Sequence, residues 1–225
     1  MHLKLFATLA TLALPVAMFG QESPSLINPV GSNLEDVFQV NYASNLNRAD
    51  GVVNVTNAGT SGRDICVNLY VFTPDEQEQA CCSCRVTPNE LDGFPVSFGP
   101  GNLLSNPAFG RANSVVIKLL ASNPDGPAGC FNSTSNNHGI ITARSSAGLI
   151  TAGDLVPGMT AWATHAHPTN TTQAAITETR FEPKGLSAFE FGFLVNTCNQ
   201  NLTNGSGKGL CSCPNLVGGL AKPRL

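Results

Sequence analysis

Eight cysteines follow an N-terminal segment that resembles an export signal, and this combination constrains the fold more than any other feature of the chain. Disulfides persist in oxidising compartments and are rare in the cytosol. A chain of 225 residues is long enough to bury a sizeable apolar core. We therefore expect the cysteines to reinforce a fold outside the cytosol rather than to replace a missing core.

Residues 1–20 predict a cleaved signal peptide. A short positive start precedes the apolar stretch Leu5–Val16, and small residues follow it. The predicted cut comes after Gly20, with Ala17 and Met18 as alternative positions. The apolar stretch is shorter than the ~20 residues that a spanning helix needs. We expect a secreted or periplasmic protein with no membrane span after cleavage.

The composition favours a β-rich domain and excludes one class of partner. The net charge is −3 and only 12% of residues are charged, so no basic stripe is available to neutralise phosphates. Nucleic acid is therefore not an expected partner. Frequent Gly, Pro, Asn, Ser and Thr favour short strands joined by turns. The predicted fold is mainly β: a single disulfide-stapled antiparallel β-sandwich-like domain with one C-terminal α-helix.

The chain divides into four predicted parts. After the signal peptide, residues 21–33 contain two prolines and little pattern, which indicates a flexible lead-in. Residues 34–217 form the predicted β-rich domain. Residues 218–225 form a predicted flexible tail.

Alternating side chains predict several strands. In Ile65–Phe72 one face is apolar throughout and should be core, while the other carries mixed residues. The turn-rich segment Asn57–Gly62 predicts a hairpin between a strand at Gly51–Val55 and this one. Further strands are predicted at Val37–Tyr42, Val115–Ala121, Ala161–His167 and Ala174–Phe181.

Ser187 predicts the start of the single helix. Glu190 stands three residues later, as a capping box requires, and the helix should end near Asn199. Because this segment is apolar on nearly every side, it should pack against the sheet or under a loop. Thr73–Ala80 should form a polar bend or one helical turn, and Gly93–Arg111 should be rich in loops.

Several blocks of the sequence resemble an uncharacterised family of exported, cysteine-containing proteins from acidobacteria. The blocks are Asp64–Phe72, Cys81–Asn89, Ala161–His165, Thr177–Thr179, Leu186–Ala188 and Gly205–Cys213. The resemblance covers most of the chain after the leader. It implies export from a bacterium, and it implies no activity, ligand or catalytic residue.

The cysteines occupy four places along the chain, and all of them are disulfide candidates. They are Cys66, the cluster Cys81, Cys82 and Cys84, then Cys130, and the C-terminal set Cys198, Cys211 and Cys213. Sequence alone does not determine how they pair. Local spacing favours a bond from Cys198 to Cys211 or Cys213. It also favours bonds from Cys66 and Cys130 to members of the central cluster.

Two other motifs have weaker interpretations. Cys81 and Cys84 have the spacing of a redox pair or half a zinc site, but the residues that follow are poor helix formers and the zinc spacing is incomplete. The glycine-rich segment Gly205–Gly209 lacks the Ser or Thr that a phosphate-binding loop needs after its lysine. No cofactor is expected.

His165 and His167 form the candidate metal site. Alternation along a strand places both imidazoles on one face, a spacing that copper and zinc sites use. A third ligand is needed, and His138 or Asp154 is the candidate. Two histidines on a hairpin are more often ordinary polar surface, so the simpler interpretation stays open.

The carboxylates give no coherent catalytic set. Glu178 and Glu182 are expected to share a strand face with Arg180 as an exposed ion-pair ladder. The first functional hypothesis is an exported noncatalytic binding or structural module of the cell envelope or extracellular space, with a surface, glycan or protein as its partner. The alternatives are a metal-binding protein that uses His165 and His167, and a secreted hydrolase with an unidentified site.

Overall fold

The computed structural model describes residues 36–98, 102–124, 130, 152–170, 173–211 and 213. The predicted signal peptide, lead-in and tail lie outside these residues. The described strands are β1 (Phe38–Ala43), β2 (Val52–Asn57), β3 (Ile65–Phe72), β4 (Glu78–Val86), β5 (Leu91–Pro95), β6 (Val115–Ser122), β7 (Met159–Pro168), β8 (Ala174–Arg180) and β9 (Glu182–Pro183). A short 3-10 helix spans Ala152–Asp154, and the helix α1 spans Ala188–Thr203.

The strands form two antiparallel sheets that pack face to face. One sheet has five strands in the order β4-β3-β6-β1-β9, and the other has four in the order β5-β2-β7-β8. Every pairing between named strands is antiparallel. The chain leaves β8 in one sheet and enters β9 in the other at Phe181, which is fully buried. The predicted mainly β, sandwich-like fold with a C-terminal helix is confirmed.

Strand β3 is buried on both of its faces. The predicted core face, which includes Ile65 and Val71, packs between the two sheets in the larger apolar cluster. The opposite face carries Tyr70 and Phe72 into a second cluster on the outer side of the five-stranded sheet. Leu194 of α1 covers this second cluster. The five-stranded sheet therefore has apolar packing on both sides, whereas a sandwich sheet normally has it on one.

Helix α1 begins where the sequence predicts. Ser187 has an extended backbone, and its Oγ accepts a hydrogen bond from the Glu190 N–H at 3.0 Å. The Glu190 carboxylate binds Lys118 Nζ of β6 at 2.6 Å, so it ties the first turn of the helix to the sheet beneath it. The helix runs to Thr203, about one turn beyond the predicted end at Asn199.

One local prediction was wrong, and two others were correct only in part. The strands on either side of Asn57–Gly62 do not form a hairpin, because β2 belongs to the four-stranded sheet and β3 to the five-stranded one. Only Thr73–Gln77 forms the predicted bend, since β4 begins at Glu78 and carries the cysteine cluster. The region Gly93–Arg111, predicted to be rich in loops, contains no regular element among its described residues from Val96 onward, and only its first three residues belong to β5.

Candidate functional site

All eight cysteines are paired. The bonds are Cys66–Cys130, Cys81–Cys198, Cys82–Cys211 and Cys84–Cys213. The expected bond between Cys198 and a later cysteine was wrong, as was the expected link from Cys66 or Cys130 to the central cluster. Three of the four bonds instead join β4 to the C-terminal part of the chain. Multiple disulfides indicate an oxidising compartment outside the cytoplasm.

The described C-terminal residues Gly209, Leu210, Cys211 and Cys213, here called the Gly209–Cys213 segment, lie along the edge strand β4. The Cys81 N–H donates to the Gly209 carbonyl at 3.0 Å, and the Cys211 N–H donates to the Cys81 carbonyl at 3.0 Å. The bonds of Cys82 and Cys84 both span 129 positions, so they form two rungs between strands that run in parallel. The segment satisfies and covers an edge that would otherwise pair with another chain.

A buried acid lies under this covalent cover. Glu78 is 4% exposed, and Asn201 Nδ2 of α1 donates to its Oε1 at 3.0 Å. Burial raises the pKa of Glu78 to about 8. Its Oε2 and the Tyr70 hydroxyl are buried with no hydrogen-bond partner among the described residues. A neutral carboxylic acid suits this environment better than a carboxylate does.

Glu78 also lies beside the sulfurs of Cys81 and Cys198. One oxygen of the carboxyl group and the two sulfurs all fall within 4.8 Å of one another. Metal ions bind thiolates, and the two sulfurs are joined in a disulfide. We therefore interpret this cluster as structural.

The two predicted metal-site histidines share one face of β7. Each is held by a threonine of β8: His165 Nε2 lies 2.6 Å from Thr179 Oγ1, and His167 Nε2 lies 2.8 Å from Thr177 Oγ1. The ring centroids are 6.3 Å apart. Burial of the ring lowers the pKa of His165 below its ordinary value, and repulsion from the neighbouring His167 lowers this pKa further. His138, one candidate third ligand, lies outside the described residues.

The structure does not bring Asp154, the other candidate ligand, to the histidines. The Asn123 N–H donates to the Asp154 carbonyl at 2.7 Å, just beyond the end of β6. Tyr42, whose ring centroid is 5.0 Å from that of His165, pairs with Val116 at the start of β6. Asp154 therefore lies near the end of β6 and His165 near its start, and the strand between them is roughly 20 Å long at 3.3 Å per residue.

The candidate acidic residues are also dispersed. Glu178 and Arg180 alternate with Thr177 and Thr179, so they lie on the face of β8 that points away from the histidines. Glu182 belongs to β9 in the other sheet and pairs with Lys184 at 2.8 Å. The predicted ladder of all three charges was therefore wrong, and the described residues place no carboxylate in a cleft with His165.

Among the described residues, no helix or second sheet packs on the outer face of the four-stranded sheet. On β7 the small residues Ala161 and Ala163 face the core, so Trp162 between them faces outward. We define the Trp162 face by the outward-facing residues of this sheet. They are Val52, Asn54, Thr56, Leu91, Gly93, Pro95, Thr160, Trp162, Thr164, Ala166, Pro168, Ala174, Ile176, Glu178 and Arg180.

Trp162 lies near the middle of this face. The strand register places Asn54 on one side of it and Arg180 on the other, and Gly93 adjoins Asn54. Polar side chains continue along the face, where Asn54 Nδ2 donates to Thr164 Oγ1 at 3.3 Å. The chain has a single tryptophan, and the structure uses it on a surface rather than in either apolar cluster.

Sequence reasoning missed this face, although a signal for it was present. Alternation in Ala161–His167 separates two alanines from Trp162 and Thr164, which marks a strand with a small core side and a larger outer side. The predicted histidines drew attention to the opposite face.

No family model, curated protein or solved structure matches the chain. The functional argument therefore rests on the fold and on the geometry of its surfaces. Among the described residues, no helix is both long and apolar enough to cross a membrane.

Proposed function

We propose that this chain is an exported, noncatalytic binding module of the cell envelope or extracellular space, and that the Trp162 face is its contact surface. The observation that carries the proposal is the outward position of the only tryptophan on an open sheet. The four disulfides fit a protein that works outside the cytoplasm. Rigid strands beneath the face hold its side chains in fixed positions.

The chemistry of the Trp162 face favours a polysaccharide as its ligand. An indole offers a flat apolar surface to the C–H side of a sugar ring, and Trp also provides an N–H donor. Asn54 and Thr164 beside it supply neutral donors and acceptors for hydroxyl groups. Glu178 and Arg180 carry opposite charges, so the face has no strong preference for a charged partner.

The single tryptophan makes the test direct, because all indole fluorescence comes from Trp162. Soluble fragments of cellulose, chitin, peptidoglycan and other envelope glycans should be titrated against the oxidised protein. We expect at least one of them to change the emission of Trp162 in a saturable way. The same polysaccharide in insoluble form should retain the protein in a pull-down.

Two variants distinguish binding at the Trp162 face from nonspecific adsorption to the polysaccharide. Trp162→Ala should lose retention on the polysaccharide, whereas Phe109→Ala should keep it, because Phe109 is 56% exposed but lies outside the Trp162 face. Retention that survives Trp162→Ala would overturn the proposed face. Failure of every glycan to change the emission or retain the protein would overturn the choice of polysaccharide.

A further inference from the structure

One row of residues on the Trp162 face crosses all four strands of its sheet. The strand register joins Gly93 to Asn54, Asn54 to Trp162, and Trp162 to Arg180. Neighbouring strands lie about 4.8 Å apart, so the row is about 14 Å long. A short oligosaccharide can therefore lie along it, across the direction of the strands.

Gly93 leaves a gap at one end of this row. A Cβ atom at this position would come within 3.5 Å of Asn54 Oδ1, so any side chain here would fill the space beside Asn54. On β5 the side chains of Leu91 and Pro95 stand on either side of the gap. The amide of Asn54 is thus open, on this side, to the hydroxyl groups of a ligand.

Arg180 stands at the other end of the row, beside the indole. The Phe181 N–H donates to the Ala161 carbonyl at 2.9 Å, so the adjacent positions Trp162 and Arg180 form a non-hydrogen-bonded pair. In such pairs the Cα atoms are only about 4.5 Å apart and the side chains approach closely. A sugar that stacks on the indole therefore lies within reach of the guanidinium.

The positive charge of Arg180 is exposed and has no acidic partner within the part of the chain that the structure describes. None of the ion pairs there includes Arg180. Glu178 lies on the same face, but its carboxylate accepts from Thr164 Oγ1 at 3.4 Å. The two charges of the Trp162 face cancel in sum, yet they occupy different rows. A ligand stacked on Trp162 meets the positive charge in its own row.

We propose that the ligand of the Trp162 face is an acidic polysaccharide whose sugar rings carry carboxylates, and that Arg180 selects it. This inference rests on the proposed function and names the class of ligand. A carboxylate attached directly to a sugar ring lies at the edge of that ring. The guanidinium beside the indole binds it there through two parallel hydrogen bonds. Further rings of the same chain extend over Asn54 toward Gly93.

Fluorescence titration of Trp162 with matched oligosaccharides tests this choice. The ligands are short oligomers of galacturonic, glucuronic and mannuronic acid, each compared with its methyl ester, which keeps the sugar and removes the charge. At least one acid should bind about ten-fold more tightly than its ester, because hydrogen bonds to charged groups are the stronger ones. Arg180→Gln should bring the two dissociation constants to within about three-fold of each other.

Arg85→Gln is the matched control, since it removes the same charge from an exposed position on β4 in the other sheet. It should leave the preference for the acid unchanged. Equal binding of acid and ester, with both lost in Trp162→Ala, would overturn the acidic class and leave the proposed function standing. So would an Arg180→Gln variant that keeps the preference, or a sulfated neutral glycan that binds as tightly as the acid.

Two further outcomes would overturn the inference. One is the failure of all three acids to change the emission of Trp162 while a neutral glycan does so, which again leaves the proposed function standing. The other is retention of the protein on an acidic polysaccharide that survives Trp162→Ala. That result would overturn the proposed face, and the role of Arg180 with it.

Discussion

The two sheets of this sandwich share a core but differ on their outer sides. The five-stranded sheet is covered by α1 and carries a second apolar cluster there. Three disulfides join its edge strand β4 to α1 and the C-terminal segment. The four-stranded sheet has neither cover, and it presents Trp162 and the bare strand β8.

Under the proposed function, this difference separates stability from recognition. Burial and crosslinks hold the covered sheet in one conformation, and that sheet supports the other through the shared core. The open sheet leaves its outward polar and aromatic groups uncovered by the described helices and strands, as the proposed function requires. Substitutions on the covered side should therefore change the free energy of unfolding strongly, whereas those on the open side should mainly change binding.

The largest effect should come from the crosslinks to β4. Replacing Cys81, Cys198 and both rung pairs with Ala removes three nested loops, of more than 100, about 15 and about 5 residues, which together cost about 10 kcal/mol in the chain-entropy model. Removing only the two rungs leaves Cys81–Cys198 in place, so only the two smaller loops are lost and the cost is about 5 kcal/mol. Urea denaturation of the oxidised variants measures both values.

Removing the single rung Cys84–Cys213 is the control in this series. Because Cys82–Cys211 still holds the segment, the freed loop is only about 5 residues long and we expect a cost of about 2 kcal/mol. If removing one rung lowered the free energy of unfolding as much as removing both, the second rung would add nothing, and this account of the rungs would be contradicted.

The buried acid of the covered sheet should give the next largest effect, as a fall in stability with rising pH. The pKa of Glu78 is about 8 in the folded protein and 4.5 in its ordinary state. Between these values the folded state keeps a proton that the unfolded state has lost, so the free energy of unfolding decreases as pH rises. The expected loss is roughly 4 kcal/mol between pH 4.5 and 8.

Glu78→Gln should remove this slope, because the amide mimics the protonated acid and can accept from Asn201. Asp92→Asn in β5 is the comparison, since burial raises the pKa of Asp92 only to about 6. The fall in the free energy of unfolding that Asp92 causes in the wild type should be confined to pH below about 6, and Asp92→Asn should remove only that part. Urea denaturation at several pH values checks both variants, and a slope above pH 6 that survives in Glu78→Gln would contradict the assignment.

A matched pair of aromatic substitutions compares the two outer sides. Phe72 is 4% exposed under α1, where its ring stacks on Phe193 at 5.8 Å. Phe72→Ala should lower the free energy of unfolding by about 3 to 4 kcal/mol. Trp162→Ala should lower it by only about 1 kcal/mol, because the indole is half-buried on an open face. Thermal and urea denaturation measure both, and equal losses would erase the distinction between the sides.

The smallest predicted effect concerns the helix cap. Ser187→Ala removes the acceptor for the Glu190 N–H and should cost about 1 kcal/mol. Ser187→Asp should recover most of this loss, since Asp is an equally good cap. Urea denaturation resolves the difference, and an unchanged stability in Ser187→Ala would show that packing alone fixes the start of α1.

The local sequence pattern was sufficient to predict the elements whose apolar residues alternate regularly or whose first residues form a helix cap. Strand β3 alternates along its whole length, and Ser187 with Glu190 marks the helix start, so both were predicted from the sequence. Strand β4 was missed because the cysteine cluster hid its alternation between two buried faces. Strand β5 was missed because Gly93 and Pro95 indicate a loop, although both fit an edge strand.

Long-range features were not accessible in the same way. Nearby cysteines seemed the natural partners of one another, yet Cys82–Cys211 depends on a segment that returns to lie parallel to β4. The wrong hairpin at Asn57–Gly62 has the same origin, because a turn signal does not say which sheet the next strand joins. The Trp162 face likewise becomes visible only when the sheet order is known.

Residue-resolved hydrogen exchange of the oxidised protein tests the contrast between the sheets most directly. The account predicts slow exchange for the amides of β3 and β4, and fast exchange for the amides of Ile176 and Glu178, which point away from β7. Thr177 and Thr179 should exchange more slowly than these two neighbours. Protection of Ile176 and Glu178 equal to that of β4 would contradict the claim that one sheet is covered and the other left open.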